Sequence, residues 1–423
     1  MTAVETPVAE PAAAAQLDCS SGVAQIDITR PLPQLAGVGA LGVRCLVRRG
    51  AEPLGFVDLV GPARVGPDAL AAAIRTELGC SPGLDDAAPD AASEPAAVEP
   101  SITVVIATHD RPSLLDRCLT SLVASRPAPA RIIVVDNAPS SDKTRLLVER
   151  WAATHAEVSY VLEPRPGLGR AHNAALPHVR TERVAFTDDD VQVDRHWVGA
   201  LARAFEETPD TACVTGLIAP AELVTPEQWW VERSSGFAKG FTLRVRSLRT
   251  SEDEGLLFPY DAGTLGSGAN MAFTTAHLAR CGGFDADLGT GTRSLGGDDL
   301  AALHEVIASG HDLVYQPAAI VFHRHHADRP ALRRQAAGYG AGLTAYLTST
   351  VVHRPGAARD LARRVGPGLR QVFAASSPLN DRRPQDYPAG LVWRERAGMA
   401  AGPARYAWQR IAARRERTSE QVR

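Results

Sequence analysis

Three apolar runs, each followed by a carboxylate, constrain this chain most. They are residues 102–106 with Asp110 just beyond, 131–135 with Asp136, and 183–186 with Thr187-Asp188-Asp189-Asp190. Helical stretches separate them, opening at Arg111-Pro112, at about 143–155 and at 169–177, with a further strand at 158–162. This alternation predicts a mostly parallel sheet with right-handed crossovers. Such sheets gather ligands at the carboxyl ends of their strands. The three acids are therefore expected on one rim.

Several carboxylates at the end of a buried strand repel one another and lose hydration, so a fold rarely keeps them without a counter-charge. A divalent cation is one answer, and oxygen ligands suit Mg2+ or Mn2+ better than zinc. An acidic loop with one aspartate capping the next helix is the other. Two more features favour the cation. One is a second acidic knot, Gly296-Gly297-Asp298-Asp299; the other is His323-Arg324-His325-His326, which closes an apolar segment.

With 423 residues, 45% of them hydrophobic and 22% charged, the chain can bury a large core in two or three domains. A formal net charge of -3 excludes any global argument for nucleic acid, and no reader motif is present. The six cysteines are scattered without a CxxC pair, which reads as reduced thiols. No basic-then-apolar leader opens the chain and no apolar run approaches the ~20 residues of a membrane span. The expected compartment is the cytoplasm. Beyond Arg324 arginines outnumber acids, so this tail is expected to offer a surface to the inner face of a membrane, to an anionic partner or to a second copy, or simply to be a solvated helical face.

The expected organisation has five parts. Residues 1–20 read as a disordered N-terminus, 21–80 as a small α+β unit, 81–100 as a Pro/Ala/acid linker, 101–330 as the α/β domain and 331–423 as a helical, arginine-rich region. In the small unit, alternation at 43–47, a turn at 49–53 and a return strand at 54–60 read as a hairpin, followed by a helix at 68–78. It carries no catalytic constellation and reads as a stabilising appendage, an assembly module or an acceptor-docking module. Late in the α/β domain, 312–315 and 319–322 read as two strands. Beyond Pro330 the helical pattern is expected to break at Pro355, Pro367, Pro378 and Pro403.

Seven segments in order resemble one family. Residues 103–111 (Thr-Val-Val-Ile-Ala-Thr-His-Asp-Arg), 133–137 (Ile-Val-Val-Asp-Asn), 167–173 (Gly-Leu-Gly-Arg-Ala-His-Asn), 187–190, 268–272 (Gly-Ala-Asn-Met-Ala), 281–285 (Cys-Gly-Gly-Phe-Asp) and 296–300 (Gly-Gly-Asp-Asp-Leu) look like the family-2 glycosyltransferases of the GT-A fold. The resemblance spans about 101–330. It implies a GT-A-type, mostly parallel sheet flanked by helices, with the small N-terminal unit and the helical tail outside it.

The resemblance also distributes roles. Asp188 and Asp190 take the Asp-x-Asp positions that hold ribose and metal, with Asp190 the direct ligand and Asp189 behind them. His323 matches the late histidine of the metal shell, with His325 and His326 as runners-up. Asp299 matches the general base that takes the acceptor proton, which implies inversion; Asp298 stands where glutamate is commoner and reads equally as a helix cap. Thr108, Arg111 and Asp136 match the nucleotide patch, Asp136 toward uracil and hence a UDP donor. Arg170 suits a phosphate, and Asn173 reads either as a donor contact or as a helix-surface amide. The implied partners are a nucleotide-sugar and a small-molecule or glycan acceptor, with Mg2+ or Mn2+ as cofactor.

Bland readings stand beside these. Trp229, Trp230, Phe237 and Phe241 are either an acceptor platform or aromatics packed under a loop, and His109 is a strand-end histidine. A nucleotidyltransferase or metal-dependent phosphohydrolase would use the same acids but wants a phosphate-loop signature, which is absent near the first strand. A non-catalytic sugar-nucleotide-binding scaffold is the third reading.

Overall fold

The computed structural model describes residues 15–61, 63–80, 102–235, 237–249, 255, 257–364, 384 and 386–421. The expected linker, Pro367 and Pro378 lie outside them. The chain divides into two compact units, residues 1–92 with 222–224 and the remainder.

The first unit holds β1 (Gln16–Asp18), β2 (Val23–Asp27), β3 (Gln34–Ala36), β4 (Val43–Arg49), β5 (Glu52–Leu59), β6 (Arg64–Val65) and α1 (Pro67–Leu78). They form two three-stranded sheets, β1-β3-β6 and β2-β4-β5. The expected hairpin is β4–β5, turning at Gly50 with φ 59. Val43, Cys45, Val47 and Val57 from its strands meet Leu70 and Ile74 of α1 in a core of their own. β1 lies within the stretch expected to be an unstructured terminus.

The second unit is built on a nine-stranded sheet of β7 (Ile102–Thr108), β8 (Arg131–Asn137), β9 (Val158–Glu163), β10 (Arg183–Asp188), β11 (Val191–Val193), β12 (Thr211–Pro220), β13 (Arg244–Arg246), β14 (Met271–Thr274) and β15 (Asp312–His323). The strand order is β11-β15-β12-β14-β10-β7-β8-β9, with β13 on the far side of β15. β10, β7, β8 and β9 run parallel, and β14 is antiparallel to both β10 and β12. This is the mostly parallel sheet that the alternation predicted. Its helices are α2 (Pro112–Val123), α3 (Lys143–Ala152), α4 (Leu168–Ala175), α5 (Trp197–Glu207), α6 (Pro226–Ser235), α7 (Thr275–Cys281), α8 (Asp298–Ala308), α9 (Arg329–His353) and α10 (Ala389–Gln421).

Successive strand residues point to opposite faces, so β7 feeds both cores. Val104 and Ile106 join Leu115, Leu119 and Trp197 on one side, while Val105 joins Phe186, Phe273 and Leu303 on the other. Two expectations change here. The strands read at 312–315 and 319–322 are one strand, β15, because β12 pairs with both halves across an irregularity at Gly216/Leu217. A Cβ at Gly216 would run into Ala319 O, so only glycine lets the two backbones pass. Pro403 does not break the tail helix: α10 runs through it, held against α9 by the close approaches of Gly398 to Ala337 and of Gly402 to Ala341 and Thr344. The expected break at Pro355 fits, since α9 ends at His353.

Candidate active site

Asp188 is the last residue of β10, and Asp190 sits in the turn to β11. β11 pairs antiparallel with the end of β15, setting Val191 opposite His323. Arg324 N donates to Asp190 O at 3.0 Å, which fixes the same junction. Sheet register therefore carries His323 to the acids. Asp188, Asp190 and His323 offer ligand atoms that all lie within 4.8 Å of one another. His323 Nε2 is 3.4 Å from Asp190 Oδ1, a buried oxygen with no hydrogen-bond partner among the described residues. Two carboxylates, an imidazole and an orphaned acceptor between them fit a divalent cation. Burial pushes His323 down to about 4 despite Asp190 beside it, so the ring is neutral, as a ligand must be.

Arg111 supplies a counter-charge. Its Nη1 lies 3.2 Å from Asp189 Oδ1 and 3.2 Å from Asp190 Oδ2. Thr108 Oγ1 donates to Asp189 Oδ2 at 2.7 Å, so this buried hydroxyl, expected in the nucleotide patch, holds the intervening acid. Burial raises Asp189 to about 6, with Arg111 pulling it down and Asp190 pushing it up. Asp188 is pushed well above the carboxylate range by burial and by repulsion from Asp190, Asp189, Asp298 and Asp299. That repulsion reports proximity: the acids of β10 and of α8 share one site.

Gly297, at φ 89, turns the chain into α8, so Asp298 and Asp299 occupy its first turn. Asp299 is partly exposed; Gly268 N donates to its Oδ2 at 2.9 Å and Leu300 N to its Oδ1 at 2.8 Å. Asp298 differs. It is buried, with Oδ2 3.6 Å from Nδ1 of buried His172, and neither atom has a hydrogen-bond partner among the described residues. Burial and Asp299 raise Asp298 to about 7, and burial lowers His172 to about 3. Both groups are driven neutral. The sequence expectation of a catalytic Asp298 is therefore corrected, because the carboxyl faces the interior; the cap reading fails too, since Gly297 is the N-cap.

Other expected residues also move. Asn173 is a clamp: its Nδ2 donates to Phe284 O and its Oδ1 accepts from Phe284 N, both at 2.8 Å, so both ends of the amide are engaged by one backbone unit. Arg170 is mostly buried, with Nε donating to Ala286 O at 3.3 Å. Asp136 is completely covered; Tyr160 OH donates to its Oδ2 at 3.0 Å, while Oδ1 is left without a donor among the described residues. Trp229 and Trp230 are buried, Trp230 against Leu332 and Leu391, so they pack and form no platform. His109 is the strand-end histidine expected, with Nδ1 2.8 Å from Asn137 O.

Sequence reading missed the surroundings of His323. Its Nδ1 is 3.2 Å from His325 Nδ1, and His325 Nε2 is 2.9 Å from Glu232 Oε2 on α6. Phe237 packs against both imidazoles, each ring centroid 5.4 Å away. Glu232 lies far from every motif, so only the packing of α6 against the β15 end reveals it.

The sheet is that of a mixed α/β protein, with acids gathered at the carboxyl end of β10 and the start of α8. Residues 103–272 match the family model Glycosyl transferase family 2. It is 27% identical over 240 residues to a pre-mycofactocin glycosyltransferase of Mycobacterium tuberculosis, covering 56% of this chain and 46% of that one. Over 200 residues it is 28% identical to the succinoglycan biosynthesis protein ExoM of Rhizobium meliloti, covering 46% and 62%. Thus the chain spans about half to three-fifths of the length of these curated relatives. Among solved structures, a mannosyltransferase of Pyrobaculum calidifontis in complex with GDP-Man and Mn2+ is similar at 20% identity and TM-score 0.46, covering 74% of this chain and 88% of that one.

Proposed function

We propose that this chain is an inverting glycosyltransferase that moves a hexose from a nucleotide-sugar to an acceptor hydroxyl in a single displacement. The observation that carries the reading is the meeting of Asp188, Asp190 and His323 with Asp299 on one rim. A divalent cation held by the first three would offset the diphosphate charge that grows as the glycosidic bond breaks. Arg111 neutralises Asp189 and Asp190 and stands ready for phosphate. Asp299 takes the acceptor proton; the Gly268 and Leu300 amides hold its carboxylate in one orientation. A uridine donor is favoured by the lone Oδ1 of Asp136, which would accept one N–H, such as N3–H of uracil, once the covering side chains part.

The test separates donor binding from transfer. Asp299→Asn is expected to keep the affinity for nucleotide-sugar with Mn2+ while transfer falls about 10^2- to 10^4-fold. Asp190→Asn is expected to lose cation-dependent donor binding. Turnover at the wild-type rate in Asp299→Asn would remove the base. Thermal shifts with UDP, GDP and dTDP, each with and without Mn2+, identify the nucleotide; a shift with none of them would end the reading.

The tail takes a peripheral role in this proposal. No described helix is long and apolar enough to cross a membrane. The exposed side of α10 nevertheless carries Trp393, Trp408 and Ile411 beside Arg394, Arg405, Arg414 and Arg415, a combination suited to an anionic lipid surface.

A further inference from the structure

The orphaned contacts around His323 form a directed chain. An ionised carboxylate only accepts, so Glu232 Oε2 accepts a hydrogen bond from His325 Nε2–H across 2.9 Å. In the tautomer of His325 that donates from Nε2, Nδ1 carries no proton and can only accept. The partner 3.2 Å away must donate, so His323 carries its proton on Nδ1. That leaves Nε2 of His323 with its lone pair free, on the side where Asp190 Oδ1 stands 3.4 Å away. From one end to the other the chain permits this one arrangement with every member neutral except the carboxylate.

We propose that Glu232 and His325 are positioning residues that select the His323 tautomer able to bind the cation. Both lie inside the protein, with His325 2% and Glu232 6% exposed, so water does not compete for these bonds. α6 grips His325 twice from one face: Gln228, one turn before Glu232, donates Nε2–H to His325 O at 3.3 Å. Phe237 lies nearly parallel to the His325 ring at 15° and tilted 35° to His323, which limits rotation of both rings. A carboxylate behind a metal-bound imidazole commonly raises its basicity and fixes its orientation. Here the carboxylate would act through an intervening second imidazole. His326, the other runner-up, feels Asp190 and Arg111 but has no part in the chain.

This inference rests on reading Asp188, Asp190 and His323 as a cation site, and its test needs no donor or turnover. Long-range 1H–15N correlation spectra of the full-length apo protein are expected to show the His323 proton on Nδ1. A proton on Nε2 would overturn the proposal, because a charged His325 would then be driving the chain the other way. Mn2+ titration followed by electron paramagnetic resonance gives the second readout. Glu232→Gln is expected to weaken Mn2+ binding ~10- to 100-fold, and Glu232→Asp to restore part of it. In a His323→Ala background the same Glu232→Gln change is expected to do nothing further. An undiminished loss in that background would mean that Glu232 merely supports the fold; an unchanged affinity in the single variant would exclude it altogether. Normal Mn2+ binding without sugar transfer would instead count against the enzymatic reading alone.

Discussion

At the scale of single residues, the buried pair of Asp298 and His172 shows how two costly groups can coexist. Asp298 is raised to about 7, above its unfolded value of ~3.9, so the folded state holds a proton there that the unfolded chain lacks between about pH 4 and 7. Stability from this group falls as pH rises through that window. His172 is lowered to about 3 from an unfolded ~6.5, so the unfolded chain takes a proton that the folded state refuses between about pH 3 and 6.5. Its contribution rises with pH. The two slopes oppose each other, and the intact pair adds little to the pH profile between about 4 and 6.5. Removing one partner uncovers the other. Relative to wild type, Asp298→Asn should gain stability as pH rises from about 4 to 7, and His172→Gln should lose it from about 3 to 6.5. The expected size is a few degrees in Tm, on the order of 1 kcal/mol. Thermal melts of the three proteins between pH 4.5 and 7.5 check this; three parallel profiles would show that the pair is not neutral.

At the scale of elements, the proposed base on α8 depends on a neighbour that carries no motif. α9 crosses the start of α8 at Gly342, where an added Cβ would sit 2.9 Å from Gly296 C and 3.1 Å from Gly297 N. The first turn of α8 is thus seated directly on α9 backbone. Gly342→Ala should push the helices apart at a cost of about 1–3 kcal/mol and displace Asp299. Asp188 and Asp190 belong to β10 and its turn, so the donor affinity should hold while kcat falls, as calorimetry and steady-state rates would separate. This division also explains what the primary structure revealed. β10 and its acids were legible because a short apolar run ending in carboxylates is a local signal, and so was α8 behind its glycine pair. The inward turn of Asp298 was not, since it depends on His172 of α4 lying beneath it. Nor was the double grip of Asn173 on Phe284. Glu232 was hidden for the same reason: α6 reaches β15 only through packing, and nothing in its own spacing marks the contact.

At the scale of the whole molecule, the tail poses the remaining question. Its bias toward arginine was visible in composition, whereas the way the side chains divide between faces required the helix. Leu391, Gly398, Gly402 and Tyr406 of α10 are buried, and Gly398 and Gly402 lie against α9. On the exposed side, Trp393 and Trp408 stand about 22 Å apart along the axis at ~1.5 Å per residue, with exposed Ala397, Ala400, Pro403, Ala404 and Ala407 between them. Arg394, Arg405, Arg414 and Arg415 share that exposed side, and no acid does among the described side chains. Two copies facing each other across this surface would bring like charges together. An anionic bilayer would instead accept indole rings at its interface and guanidinium groups at its headgroups, each cation contributing about 1 kcal/mol near the surface. The full-length protein should therefore sediment with vesicles containing phosphatidylglycerol and stay free of purely zwitterionic ones. Raising the salt to about 0.5 M shortens the screening length below about 5 Å and should release it. Replacing Arg394 and Arg415 by alanine should weaken binding roughly 5-fold per residue, and Trp393→Ala with Trp408→Ala should reduce it further while transfer to a soluble acceptor stays unchanged. Equal sedimentation with neutral and anionic vesicles, or binding indifferent to salt, would assign this face to ordinary solvent.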